Sequence, residues 1–182
     1  MNPMVTSILI SSLSTGTIIT MSSYHWLFAW FGLEMNTLAI IPLISNPHHP
    51  RATEAATKYF LIQAAAAATI LFSSALNAWT SGQWTILHPT TQPTALMMLV
   101  ALAMKLGLAP VHFWYPEVLQ GSSLIMALLM STWQKLAPLA LLLMMSSHLP
   151  QTTLLSLGLL SACIGGWAGI NQTQTRKIMA FS

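Results

Sequence analysis

Glu34, Lys105 and Lys135 are the side chains of this 182-residue sequence best placed to do chemistry. Each falls near the centre of a long apolar stretch, 24–45 for the glutamate, 94–113 for the first lysine and 123–145 for the second. A charge at the middle of a membrane-spanning helix costs roughly 2.5–3.5 kcal/mol on insertion scales, so such residues face a bundle interior or a hydrated path. One acid and two bases, each able to change protonation when desolvated and each sensitive to its neighbours, are the minimum parts of a proton relay. The competing reading is structural: Glu34 and Lys105 form a buried ion pair that fixes helix packing, and backbone carbonyls satisfy Lys135. A third, unpaired cation at the same depth weighs against it.

The backbone beside both lysines is unusual. In Lys105-Leu106-Gly107-Leu108-Ala109-Pro110, Pro110 cannot donate to the Leu106 carbonyl and its ring clashes there, while Gly107 lowers helical rigidity. The helix is expected to break just after Lys105. Lys135-Leu136-Ala137-Pro138 repeats the arrangement at shorter spacing, with Pro138 freeing the Gln134 carbonyl. Interrupted spans bring unpaired carbonyls to mid-membrane, where ion-coupled transporters place their sites. His112 follows Pro110 and reads either as a further relay group or as part of an interfacial aromatic belt with Phe113, Trp114 and Tyr115.

Six stretches are long and apolar enough to cross a bilayer: about 4–21, 24–45, 58–79, 94–113, 123–145 and 152–171. The fold class is an all-α polytopic membrane protein with about six transmembrane helices and a broken helix near 105–110. Short, turn-rich connections leave no interdomain linker. Arg51, Glu54, Lys58, Glu117, Arg176 and Lys177 fall in one set of connections, and the alternate set, around 22–25, 80–94 and 146–151, carries no charge. The positive-inside rule puts the charged connections and the amino terminus on the inner side. The start of the chain shows no secretory signal or transit-peptide pattern, so the first apolar stretch is expected to be retained.

Composition excludes several classes. The sequence is 54% hydrophobic and 5% charged, against roughly a quarter charged in soluble domains, so a water-soluble globule is excluded. The six basic residues are scattered rather than striped, which argues against nucleic acid. A single cysteine, Cys163, cannot form an internal disulfide, a cysteine-ligated iron–sulfur cluster or a thiolate zinc cage. His48-His49 lacks further ligand spacing, so no metal is expected, and without Asp no nucleophilic triad is available. Glu54 and Lys58 read as an i,i+4 surface pair. Ala64 to Ala68, and the series Gly158, Ala162, Gly165 and Gly169, read as close-packing faces.

Five segments carry a resemblance. They are Trp30-Phe31-Gly32-Leu33-Glu34-Met35-Asn36, Ala56-Thr57-Lys58-Tyr59-Phe60-Leu61, Met104 to Pro110 running through His112-Phe113-Trp114 into Pro116-Glu117-Val118, Trp133-Gln134-Lys135-Leu136-Ala137-Pro138, and Thr175 to Ser182. Together they make the chain resemble the mitochondrially encoded antiporter-like subunits of respiratory complex I, the proton-translocating NADH:ubiquinone oxidoreductase, in the short animal form that lacks three helices at its start. The resemblance implies a single antiporter-like transmembrane domain over 1–182, with a first five-helix repeat at about 1–147 and the first helix of a second, inverted repeat at about 150–172. A continuation beyond Ser182 is expected. It also implies a proton channel driven by quinone reduction elsewhere, with flavin, iron–sulfur clusters and the quinone site held by other subunits and no cofactor in this chain. Glu34 matches the family's membrane glutamate, Lys105 the lysine of its broken helix, whose proton affinity that glutamate modulates, and Lys135 the bridging lysine. The expected partners are the other membrane-arm subunits and the lipid bilayer, with no nucleic acid and no soluble substrate bound directly. The expected location is the mitochondrial inner membrane, with amino terminus and charged loops on the matrix side. A structural or assembly subunit without its own proton path is the alternative.

Overall fold

The computed structural model describes residues 2–46, 48–87 and 91–182, and among these the regular elements are all helices. In chain order they are α1 (Pro3–Ser22), α2 (Trp26–Ser45), α3 (Pro50–Ser81), α4 (Gln92–Leu106), α5 (Trp114–Gly121), α6 (Leu124–Ser131), α7 (Trp133–Met145), α8 (Gln151–Ile170) and α9 (Thr175–Phe181). Local chemistry sets several boundaries. The Asn2 side chain accepts from the Met4 amide and caps α1, His25 Nδ1 caps α2 at the Leu27 amide, and Pro50 starts α3 where no amide donor is needed. Serine and threonine hydroxyls inside α1 bond back to carbonyls one turn earlier, as Thr20 does to Thr17 at 2.7 Å, which hides them from lipid.

Five helical segments have the length and hydropathy of a membrane span: α1, α2, α3, the combined segment Leu124–Met145, and α8. The stretch expected to be the fourth span is different. α4 stops at Leu106 after 15 residues, about 22 Å at 1.5 Å per residue and short of the roughly 30 Å hydrocarbon core. After an irregular turn, the segment that holds Glu117, expected to be a loop, forms α5. The fifth span is also interrupted, and not where Pro138 pointed: Pro138 lies inside α7, while the discontinuity falls at Thr132 (φ −110°, ψ −73°). Pro138 lies six positions beyond that discontinuity, so its missing donor is absorbed within a helix that continues through it.

The charged and uncharged connections sit at opposite ends. At one end, Lys58 Nζ on α3 lies 2.8 Å from Glu117 Oε2 on α5, and Arg176 Nη1 on α9 donates to the carbonyls of Gln120 at 3.1 Å and Ser122 at 2.8 Å. At the other end, the α1–α2 and α3–α4 connections pair through Trp26 N to Trp84 O and Ile86 N to Tyr24 O, both 3.0 Å. α1 and α2 approach closely because Gly32 has no side chain: a Cβ there would come within 2.7 Å of the Gly16 carbonyl oxygen. The glycine series on α8 behaves otherwise. α8 buries none of its residues, Gly158 faces open space, and Gly165 and Gly169 lie against Phe181 of α9.

The buried side chains divide into two apolar clusters. One, toward the charged end, includes Ile40, Tyr59, Trp114, Leu119 and Met130. The other, toward the uncharged end, includes Leu33, Ile70, Leu102, Ala137 and Leu141. Between them each crossing element carries polar residues: Asn36 and Thr37 on α2, Gln63 on α3, Lys105 on α4 and Gln134 on α7. This polar layer holds the candidate site.

Candidate functional site: a polar layer at the helix interruptions

Residues of this layer line a small space. Asn36, Tyr59, Gln63, Lys105, Tyr115, Gln134 and Lys135 all border a cavity of about 20 Å³, closed elsewhere by Leu33, Trp114, Met130 and Pro138. That is room for about one water molecule, and a polar wall with several hydrogen-bonding groups is what such a water requires. Lys105 is 7% exposed. Its Nζ has no hydrogen-bond partner among the described residues, and neither do the Asn36 amide atoms nor the Tyr115 hydroxyl. Unpaired buried polar groups are costly, and their concentration around one cavity makes this region the candidate site.

The break after Lys105 builds its neighbour's environment. Gly107 adopts a left-handed conformation (φ 70°), which glycine tolerates without a Cβ penalty. Four residues beyond Leu106, Pro110 has no amide to offer, leaving the Leu106 carbonyl without its helical donor. Lys135 Nζ donates to that oxygen at 2.7 Å. The same ammonium lies 4.1 Å from the centroid of the Tyr115 ring, within cation–π range. Beside it, Gln134 Nε2 donates to the Tyr59 hydroxyl at 2.8 Å and to the Asn36 carbonyl at 3.3 Å, which ties α7 to α3 and α2.

The anticipated residues are therefore only partly assembled. Lys105 and Lys135 share the cavity, and Glu34 does not line it. One residue past Leu33, it is turned about 100° around α2 from the side chain that faces inward. Glu34 Oε2 is buried and has no hydrogen-bond partner among the described residues. The ion pairs among the described residues are both made by Lys58, with Glu54 at 2.7 Å and Glu117 at 2.8 Å, so the Glu34–Lys105 pair is not formed in this conformation. His112 lies in a second, larger space of about 420 Å³ between the α4–α5 turn, α8 and α9, which Lys135 also borders. Its ring stacks obliquely on Phe113 at 4.6 Å and meets Phe181 edge-on at 6.1 Å, while its Nδ1 is buried and has no hydrogen-bond partner among the described residues.

Sequence reasoning did not single out Asn36, Tyr59, Gln63, Gln134 or the ring of Tyr115. Three of them carried a signal. Asn36, Gln63 and Gln134 are amides within apolar spans, and the cost argument for ionisable residues applies in weaker form to neutral polar ones. No comparable signal marked Tyr115, whose neighbours suggested an interfacial belt.

Interrupted helices around a lysine-lined cavity at the junction of two apolar cores define a polytopic membrane protein with a polar site inside its helix bundle. Residues 23–182 match the family described as NADH:quinone oxidoreductase/Mrp antiporter, TM, and the chain belongs to that family. It is 59% identical over all 182 residues to the NADH-ubiquinone oxidoreductase chain 2 of Polypterus ornatipinnis, covering 52% of that relative. It is 61% identical to the chain of the same name from Anas acuta, covering 53% of it. Thus it spans about half the length of the curated relatives it matches. Among solved structures, a chain of respiratory complex I from Thermus thermophilus with bound aureothin superposes with a TM-score of 0.92 at 31% identity, over 100% of this chain and 43% of that one. A chain of the archaeal membrane-bound sulfane sulfur reductase shares the fold, with a TM-score of 0.80 at 19% identity over 95% of this chain and 39% of that one.

Proposed function

We propose that this chain forms part of an antiporter-like membrane subunit of the mitochondrial proton-translocating NADH:ubiquinone oxidoreductase, and that its polar layer carries protons. In this reading Lys105 and Lys135 exchange a proton across the small cavity, with one ammonium becoming an amine as the other amine becomes an ammonium. Glu34 biases Lys105 when a conformational change brings the two together, because an opposite charge nearby favours the charged lysine. His112 passes protons onward from the larger space that Lys135 also borders. The chain holds no flavin, iron–sulfur cluster or quinone itself; these sit in partner subunits, and the coupling to them is conformational and electrostatic. The inner, charged face is the matrix side by the positive-inside rule. The observation that carries the reading is the sharing of one small cavity by two lysines, with the second bound to the carbonyl freed by the helix interruption after the first.

Lys105→Met in the full-length chain tests it. With assembly verified on a native gel, fewer protons should move per NADH oxidised. Unchanged stoichiometry in a fully assembled complex would overturn the proposal and leave a structural subunit without its own proton path.

A further inference from the structure

The α4–α5 connection builds a receptor for the Lys135 ammonium from three pieces. The Gly107 turn and Pro110 leave the Leu106 carbonyl without a backbone donor, and that oxygen takes the ammonium at 2.7 Å. Tyr115, 4% exposed in the first turn of α5, then folds back over the turn. A Cβ at Gly107 would sit 3.5 Å from Tyr115 Cβ and Cγ, so the glycine is the floor on which this ring rests. The ring centroid is 4.1 Å from Lys135 Nζ. Lys135 itself borders both the small cavity shared with Lys105 and the larger space shared with His112.

We propose that Tyr115 is a positioning residue whose ring seats the Lys135 ammonium in the wall between these two spaces and so governs the passage of a proton from one to the other. The chemistry of the seat suits that task. A carbonyl oxygen and a π face attract a cation but are not bases, so unlike a carboxylate they hold the charge without competing for the proton. A proton leaving Lys135 therefore meets polar groups in these two spaces, whereas the third space it borders is lined, apart from Ser161, by apolar side chains such as Leu139, Leu142 and Leu154. This inference rests on the proton-carrying reading given above.

The test uses the full-length chain in assembled complex I, comparing Tyr115→Leu, Tyr115→Phe and Lys105→Met. Tyr115→Leu should slow proton-coupled NADH oxidation by about fivefold per assembled complex, the effect of losing a partly desolvated cation–π contact. Tyr115→Phe, which keeps the face and loses the hydroxyl, should recover most of that loss. Equal impairment by Phe and Leu would transfer the role to the hydroxyl and overturn the seat, as would a leucine variant that turns over normally. If leucine lowers assembly, Tyr115→Met makes the same comparison with a more adaptable apolar side chain. Loss in Lys105→Met without loss in Tyr115→Leu would overturn the seat alone. Unchanged stoichiometry in Lys105→Met would overturn the relay beneath it.

Discussion

Lys58 and Lys135 present the same functional group in two settings. The Lys58 side chain is 43% exposed and lies between two carboxylates, Glu54 and Glu117, that are exposed in turn. Lys135 lies inside the bundle with no carboxylate within ion-pair distance among the described residues, held by one carbonyl and one ring. By number of ion pairs Lys58 is the better bonded, with two against none among the described residues for Lys135. Water competes for every contact it makes, however, and exposed pairs contribute little. Around Lys135 each contact is made where water is scarce, so the few that exist decide where the charge resides. Depth, rather than the number of ion pairs, separates a fastening from a candidate proton carrier in this molecule.

The largest expected effect comes from removing the inner cation. Lys135→Leu should lower proton-coupled NADH oxidation by about tenfold or more, since a barrier rise of only ~1.4 kcal/mol has that consequence. Lys135→Arg sharpens the contrast, because guanidinium keeps the charge on the Leu106 carbonyl yet cannot give up a proton near neutral pH. It should assemble normally and pump as poorly as the leucine variant. Proton movement per NADH, normalised to assembled complex, measures both. Recovery of pumping by arginine would make Lys135 a structural cation like Lys58 and erase the distinction.

Two glycines provide a second, matched comparison. Gly82 and Gly107 both end helices in the left-handed region, at φ 72° and 70°. A Cβ at Gly82 meets nothing within 4 Å, whereas one at Gly107 meets Tyr115 and Trp114. Valine at either position carries a left-handed backbone cost of roughly 1–2 kcal/mol, enough to lower the ratio of folded to unfolded subunit by about five- to thirtyfold and so to reduce the heat-resistant fraction of assembled complex. Only Gly107→Val should also reduce turnover per complex, because only there does the turn present the Leu106 carbonyl and support the Tyr115 ring. Quantitative native gels with activity staining separate amount from turnover, and equal turnover in the two variants would break the link between the α4–α5 turn and the site.

How much of this was legible in the sequence follows from which signals are local. The break after Lys105 was, because Gly107 and Pro110 act on the backbone within a few residues of themselves. The segregation of charged and uncharged connections was as well, since it depends only on the order of spans. The interruption at Thr132 was not: Pro138 marks that helix as stressed, but where a ladder opens depends on packing against α1, α2 and α4. The polar layer escaped for a similar reason. Asn36, Gln63 and Gln134 lie on three different helices, and only the assembled bundle brings them to one depth. The glycine series on α8 misled as to partner, because small residues announce close approach without saying what approaches.

Gln134 tests whether that layer acts as a unit. Gln134→Leu leaves the buried Tyr59 hydroxyl without its donor, at a cost of about 1–3 kcal/mol. Adding Tyr59→Phe removes the stranded group, and since replacing both partners by apolar groups is nearly neutral, the double variant should be more stable than the single one. Heat-resistant fractions of assembled complex compare them, and simple additivity of the two losses would show that the pair is not coupled.

The smallest effect should come from the charged end. Lys58→Met removes both exposed ion pairs at once, yet the α3–α5 contact survives through packing: Gly121 of α5 lies so close to α3 that a Cβ there would come within 2.8 Å of the Arg51 carbonyl oxygen. Arg176 independently ties α9 to the end of α5. Because exposed pairs are also screened by salt, assembled complex in the Lys58→Met variant should stay within about twofold of wild type, and the difference should shrink further as ionic strength rises. Proton stoichiometry should not change at any salt concentration. A salt-independent fall in stoichiometry would place Lys58 on the proton path and abolish the contrast with Lys135, since a group 43% exposed and paired to two carboxylates would then be doing the work assigned to a half-buried one with no carboxylate beside it.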